Sequence, residues 1–291
     1  MTRYVCLVES ALAALLVCSG RATAQPARDV LVTAPDGATI HCLDAGRGPA
    51  PSVLLVPGWT MPADIWRRQI EHLQTRYRVV AMDPRAQGQS SLAAEGLYPA
   101  ARARDIKAVI DELGLAPVVL VGWSMAVKEV VSFVEQFGTG ALSGLVLVDG
   151  GVGQDFDLII MPQQLRSYVS WLVADRRPAV EAFVRGLFAT PQPEEYVQQL
   201  VASALRTPAN SAFTLGTTST LTDTRPALAR IDKPALIVAA AGPFLDLFRD
   251  MQRRIPGARL VVIPDVGHAL FVDAPDQFNG LLDEFLRSVS G

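Results

Sequence analysis

Short, near-continuous apolar runs recur along the chain at residues 52–56, 77–82, 118–121, 145–148, 235–241 and 259–263. Apolar runs of this length, without polar alternation, are how strands buried on both faces read. Between them, apolar positions fall at helical spacing over 66–76, 99–113, 125–136, 246–254 and 276–289. In the second of these, Ile106, Val109, Ile110 and Leu113 share one face. Residues 30–44 pattern as a hairpin turning at Pro35, Asp36 and Gly37. Strands alternating with helices predict an α/β fold, a mostly parallel central sheet flanked by helices.

The rhythm breaks over 151–222, where aromatic and aliphatic residues are punctuated by Pro162, Pro178, Pro191, Pro193 and Pro208. This stretch predicts several short helices and no sheet strand. It reads as a helical cap inserted between two parts of one core, 25–150 and 223–291. Residues 1–24 pattern as an export signal. Arg3 precedes an apolar run from Val5 to Cys18 that Glu9 interrupts, and Ala22 and Ala24 supply small residues before a cleavage point at Gln25. The run is too short to span a bilayer. The expectation is an exported, periplasmic or secreted protein with no stable membrane insertion after processing.

Composition narrows the function classes. The net charge is -3 and no basic block exists to hold a phosphate backbone, so nucleic acid is not an expected partner. Cys42 is the one cysteine beyond residue 24, which leaves no internal disulfide framework. His41, His72 and His268 are far apart, and none has a familiar metal-ligand spacing. Neither a metal nor a cofactor is expected, and the oligomeric state is not encoded in any pattern.

One turn carries chemistry. The run 118–121 leads straight into Gly122, Trp123, Ser124, Met125 and Ala126, and a helix follows. Small residues two before and two after a serine let the chain turn sharply between strand and helix. The hydroxyl is then held at the strand's carboxyl end, beside the positive end of the helix. Ala126 stands where this pattern has a second glycine. Ser124 is therefore the candidate nucleophile. Its candidate base is His268, in a loop after the last strand and so at the same edge of the sheet. His41 falls in the early hairpin and His72 in the first helix.

These residues resemble the α/β-hydrolases of the esterase, C–C hydrolase and non-haem haloperoxidase type. Asp83, Arg85, Gly88 and Ser90 fall as in that family's D-x-R-G-x-G-x-S loop, with Ala86 replacing a glycine. Leu55 to Trp59 resembles its strand and oxyanion segment, with Pro57 where histidine is usual, and 255–268 is a very close match. The resemblance implies an α/β-hydrolase fold with a helical cap. It also implies an oxyanion hole from the backbone N–H groups of Met125 and Trp59. The family's acid usually follows the strand at 235–241, but Pro243 stands about where that aspartate would be. Asp246 is one candidate. Asp149, directly after 145–148, is the other and is preferred, because some relatives place their acid there. Asp265, three before His268, is a third. Asp83 and Arg85 read as loop-pinning residues.

Together these features predict a serine hydrolase that cleaves a carboxylic ester of a small or medium apolar substrate through an acyl-enzyme. Trp59, Met61, Trp123, Met125 and the cap aromatics Tyr168, Trp171, Phe183 and Phe188 are the candidate pocket lining. A lactonase, an amidase or a C–C hydrolase would use the same three groups. A perhydrolase and a non-catalytic binding protein on the same fold are the remaining readings.

Overall fold

Strands β1 (Arg28–Thr33) and β2 (Thr39–Ala45) form the antiparallel hairpin, and β2 runs antiparallel to β4 (Val79–Met82). From there every pairing is parallel, through β3 (Ser52–Val56), β5 (Val118–Trp123), β6 (Leu142–Val148), β7 (Ala235–Ala240) and β8 (Arg259–Ile263). The order across the sheet is β1-β2-β4-β3-β5-β6-β7-β8. The computed structural model describes residues 26–49, 51–153 and 176–290.

The order reverses at β3. The chain steps to β4 on one side of it and returns to place β5 on the other. At such a switch point, the loops leaving the carboxyl ends of the two strands open a crevice, the preferred ligand site of open α/β sheets.

Side-chain alternation divides the core into two layers. Along β5, Val119, Val121 and Trp123 face the layer built with α1 (Arg67–Leu73), α8 (Leu270–Asp273) and α9 (Pro275–Val289). Val118 and Leu120 face the layer built with α2 (Pro99–Glu112), α3 (Ala126–Phe137) and α7 (Leu245–Arg254). Helices on both faces explain why the parallel strands carry apolar residues without alternation.

Between β6 and β7 the described residues contain α4 (Arg176–Arg185), α5 (Glu194–Arg206) and α6 (Ala209–Leu221). These helices belong to the cap. Val180, Val184, Leu200 and Val201 pack into the same apolar layer as Trp66 and Phe271, so this part of the cap is continuous with the core beneath it. Among the described residues, no helix is long and apolar enough to cross a membrane. The export signal expected over 1–24 lies outside the described residues, as do residues 154–175 of the cap.

Three local departures have physical causes. The helix expected over 66–76 is a 3-10 turn, Ala63–Trp66, followed by the short α1, with Trp66 at φ -87° and ψ 8° between them. The helix expected over 276–289 is α9, and the short α8 ahead of it, not expected, is kept separate because Pro275 disfavours a helical Ala274, which sits at φ -125° and ψ 61°. Strand β6 begins at Leu142, earlier than its apolar run, because Ser143 and Gly144 interrupt the hydrophobic pattern while the strand continues through a register shift at Ser143.

Candidate active site

Ser124 leaves β5 at φ 59°, a left-handed conformation that costs a non-glycine residue on the order of 1–3 kcal/mol. Its surroundings hold it there. The Ser124 N–H donates to Val148 O at 2.8 Å, and Ser124 O accepts from Val127 N at 3.0 Å. The flanking glycines leave no room for a side chain. A Cβ on Gly122 would lie 2.7 Å from Val130 Cγ2 and 2.9 Å from Ala126 O, and one on Gly150 would lie 2.2 Å from Ser124 O. Ala126, in place of the second glycine, starts α3 and is fully buried in the layer that includes α2. Met125, at φ -54° and ψ -34°, leads into α3, so Ser124 stands at the positive end of that helix.

The loops after β6 and β8 bring two more side chains to this turn. His268 Nε2 lies 2.7 Å from Ser124 Oγ, and His268 Nδ1 lies 2.7 Å from Asp149 Oδ2. Asp149 is itself held by the end of β7. Its N–H donates to Val238 O at 2.8 Å, and its Oδ1 accepts from Ala240 N at 2.9 Å. Its φ of 42° turns the carboxylate over the sheet edge. Asp246 does not reach this cluster. It lies in the first turn of α7 with its side chain 91% exposed, paired with Arg249 at 3.0 Å. The turn after β7 passes directly into that helix and carries Asp246 outward. Asp265 is exposed, at φ 58°.

The histidine loop is clamped to β5 and to the cap. Trp123 Nε1 donates to His268 O at 2.9 Å, and Ala269 N donates to Leu187 O at 2.8 Å. Asp273 accepts from Gly267 N at 2.8 Å, Ala189 N at 2.8 Å and Thr190 Oγ1 at 2.7 Å, joining the connection after α4 to the loop that carries His268. Burial pushes the Asp273 carboxyl up, but these donors outweigh it and hold it below its ordinary value. Asp273 was not anticipated from the chain, where nothing marks it apart from any helix-starting aspartate.

The loop after β3 crosses beside the serine. A Cβ on Gly58 would lie 2.8 Å from Ser124 Cβ. Trp59 follows. Its indole N–H donates to Ala212 O on α6 at 2.8 Å, and its ring meets Phe183 edge-on at 5.1 Å between centroids. Met125 packs with Trp59 against the small cluster of Ala86, Leu97 and Leu215. Trp59 and Met125 thus line the junction of core and cap.

Met61 and Trp123, expected in the pocket lining, are corrected by their burial. Met61 is fully buried with Trp66 in the apolar layer, and Trp123 is 1% exposed, wedged edge-on against Trp66 and Phe271. Both point to the face of the sheet away from α3 and offer no surface to a ligand. Phe183 and Phe188 are partly buried against the core layer. Tyr168 and Trp171 lie outside the described residues.

Asp83 and Arg85 pin loops. Arg85 bonds Asp105 at 2.7 Å and Asp36 at 2.7 Å, while Asp83 accepts from Ala63 N at 2.6 Å and contacts His41 Nδ1 at 2.8 Å. Among the described residues, no group of histidine, cysteine and carboxylate side chains is arranged to hold a metal ion.

The chain is similar to several known proteins. A non-heme haloperoxidase of Rhodococcus erythropolis is 37% identical over 118 residues, covering 40% of this chain and 42% of its own. The pimeloyl-[acyl-carrier protein] methyl ester esterase of Aeromonas hydrophila is 26% identical over 256 residues, covering 82% of this chain and 96% of its own. The crystal structure of a bromoperoxidase from Bacillus anthracis superposes with a TM-score of 0.81 at 24% identity, over 89% of this chain and 100% of its own, which speaks for the fold alone. Residues 53–281 match the family model described as the alpha/beta hydrolase family, and the chain belongs to that family.

Proposed function

We propose that this protein is a serine hydrolase that cleaves carboxylic esters of small or medium apolar substrates through an acyl-enzyme. The observation that carries this reading is the hydrogen-bonded line from Ser124 Oγ through His268 to Asp149, 2.7 Å at each step. With its Nδ1 proton directed at Asp149, the imidazole presents an unprotonated Nε2 to the Ser124 hydroxyl. Ser124 Oγ attacks the ester carbonyl as His268 takes its proton. The N–H groups of Met125 and Trp59 receive the oxyanion, with the α3 terminus adding its partial positive charge. His268 then protonates the departing alcohol. Water, deprotonated by the same ring, attacks the acyl-enzyme and frees the acid. The esterase among the relatives supports an ester as substrate, and the apolar side chains of Trp59, Met125 and Phe183 at the cap junction support an apolar one.

The test is stopped-flow hydrolysis of p-nitrophenyl esters of graded chain length, with lactones, anilides and a β-diketone as competing substrate classes and hydrogen peroxide as a competing acceptor. The reading predicts an ester-dependent burst of p-nitrophenol, equal to the enzyme present, that Ser124→Ala abolishes. Unchanged turnover by Ser124→Ala contradicts it. Export is proposed on residues 1–24 alone. Amino-terminal sequencing of the protein from a periplasmic or culture fraction should begin at Gln25, and recovery of the uncut chain from the cytoplasm contradicts it.

A further inference from the structure

Between the loop that crosses beside Ser124 and the helix that follows it runs a line of buried polar side chains that the proposed reaction does not use. Gln87, 1% exposed, donates from Nε2 to Gly58 O and to Met61 O, both at 2.9 Å. Its other amide atom, Oε1, accepts from Arg102 Nη2 on α2 at 3.1 Å. Arg102 Nη1 in turn lies 3.1 Å from Glu129 Oε1 on α3, five residues after Ser124, and both side chains are 1% exposed.

The two carbonyls that Gln87 holds bracket Trp59. They belong to a four-residue turn closed by Met61 N donating to Gly58 O at 3.2 Å, with Thr60 at φ 60°. The Gly58 carbonyl and the Trp59 N–H are parts of one rigid trans peptide unit, so they point in opposite directions. Fixing the carbonyl on Gln87 therefore fixes the direction of the Trp59 N–H.

The charge pair behind Gln87 is an expensive support. Arg102 Nε and Nη1 and Glu129 Oε2 are buried without hydrogen-bond partners. Burial pushes the Glu129 carboxyl up to about 7, against the pull of Arg102. A buried pair satisfied this poorly adds little stability over apolar residues of the same volume. What it does supply is a fixed donor on Gln87 Oε1, which keeps both amide hydrogens of Gln87 turned toward the turn.

We infer that Gln87 is a positioning residue for the oxyanion donor at Trp59, held in its working orientation by Arg102 and Glu129. The inference rests on the serine-hydrolase reading above. It implies that the Gln87 bonds matter more in the tetrahedral transition state than in substrate binding, since the oxyanion exists only there.

The experiment compares wild type, Ser124→Ala, Gln87→Met and the double variant Arg102→Met, Glu129→Met. It measures kcat and KM on a p-nitrophenyl ester, and Ki for a trifluoromethyl ketone, whose serine adduct carries an oxyanion. Methionine keeps the length of Gln87 but donates nothing. Gln87→Met should lower kcat by about 30-fold, less than the 10²–10³ lost with a whole oxyanion donor. KM should stay within about twofold and Ki should rise with the kcat loss. The double variant leaves the Gln87 amide hydrogens in place and removes only their support. A kcat loss of about 3- to 10-fold with KM unchanged is expected there, and it keeps the test open if Gln87→Met does not fold. Wild-type kcat and Ki in either folded variant overturn the inference, as does a loss that falls on KM alone. An active Ser124→Ala overturns the serine-hydrolase reading and this inference together, whereas an inactive Ser124→Ala beside fully active Gln87 and Arg102 variants overturns this inference only.

Discussion

The loops after β6 and β7 leave neighbouring parallel strands at the same edge of the sheet, and each carries an aspartate within a few residues of the strand end. Their fates are opposite. Asp149 turns inward at φ 42°, is held by Ala240 N, and meets His268. Asp246 passes into the first turn of α7 and faces solvent beside Arg249. The glycines of the two loops differ in the same way. A side chain on Gly150 would strike the backbone of Ser124, while one on Gly242 would meet nothing within 4 Å. What separates the loops is lateral position. β6 pairs directly with β5, which ends at the serine turn, whereas β7 is one strand further out. In this chain the β6 loop packs on the serine turn and sets Asp149 beside His268, while the loop after β7, where the family usually carries its acid, passes straight into α7 and takes Asp246 outward.

The largest effect expected from this comparison is on turnover. Asp149→Asn should lower kcat by about 10³- to 10⁴-fold with little change in KM, because the imidazole loses the group that orients it and stabilises its charged form. Asp246→Asn should stay within about twofold of wild type, as befits an exposed pair with Arg249. Wild-type turnover in Asp149→Asn beside a collapse in Asp246→Asn would break the comparison. Next in size is the glycine pair. Gly150→Ala should destabilise the fold by about 1–3 kcal/mol, since the methyl must displace the serine turn. Gly242→Ala should stay within about 0.5 kcal/mol. Urea denaturation of both variants measures the difference, and equal midpoints would show that the β6 loop yields more easily than its contacts imply.

The smallest effect extends the comparison to the loop after β8. The folded protein holds the Asp273 carboxyl below its ordinary value, so the unfolded chain binds the proton more readily. The stability from this anchor is fully present above the ordinary aspartate value of 3.8 and is lost as pH falls below it. The gap in thermal midpoint between wild type and Asp273→Asn should be widest near neutrality and narrow as the medium is acidified below that value. A gap that widens on acidification contradicts the assignment of Asp273 as an anionic anchor.

The architecture was legible because burial on both faces leaves a plain mark. The runs 52–56, 118–121 and 259–263 could be read as parallel strands since no polar alternation competed. Ser124 and His268 were legible for a local reason: each is defined by what its strand runs into. The acid was legible as a preference for Asp149, directly after its strand, over Asp246, because the outward course of the turn after β7 into α7 leaves no mark in that segment. Strand order is not written in the chain. Met61 and Trp123 were misread for a related reason. Apolar residues beside a nucleophile line a pocket or fill the layer beneath it according to the face they point to, and here both fill the layer. The polar line through Gln87, Arg102 and Glu129 was invisible because its members come from separate elements and carry no shared spacing.

The central claim is that Ser124 is a nucleophile activated by His268. It is tested most directly by exposing wild type, Ser124→Ala and His268→Ala to a fluorophosphonate and mapping the adduct by mass spectrometry of the digested chain. The account predicts one adduct on the peptide that contains Ser124 in wild type, none on Ser124→Ala, and labelling slowed by at least about 10²-fold in His268→Ala, the range a positioned general base supplies. An unlabelled wild-type chain, or an adduct on another residue that persists in Ser124→Ala, would contradict it.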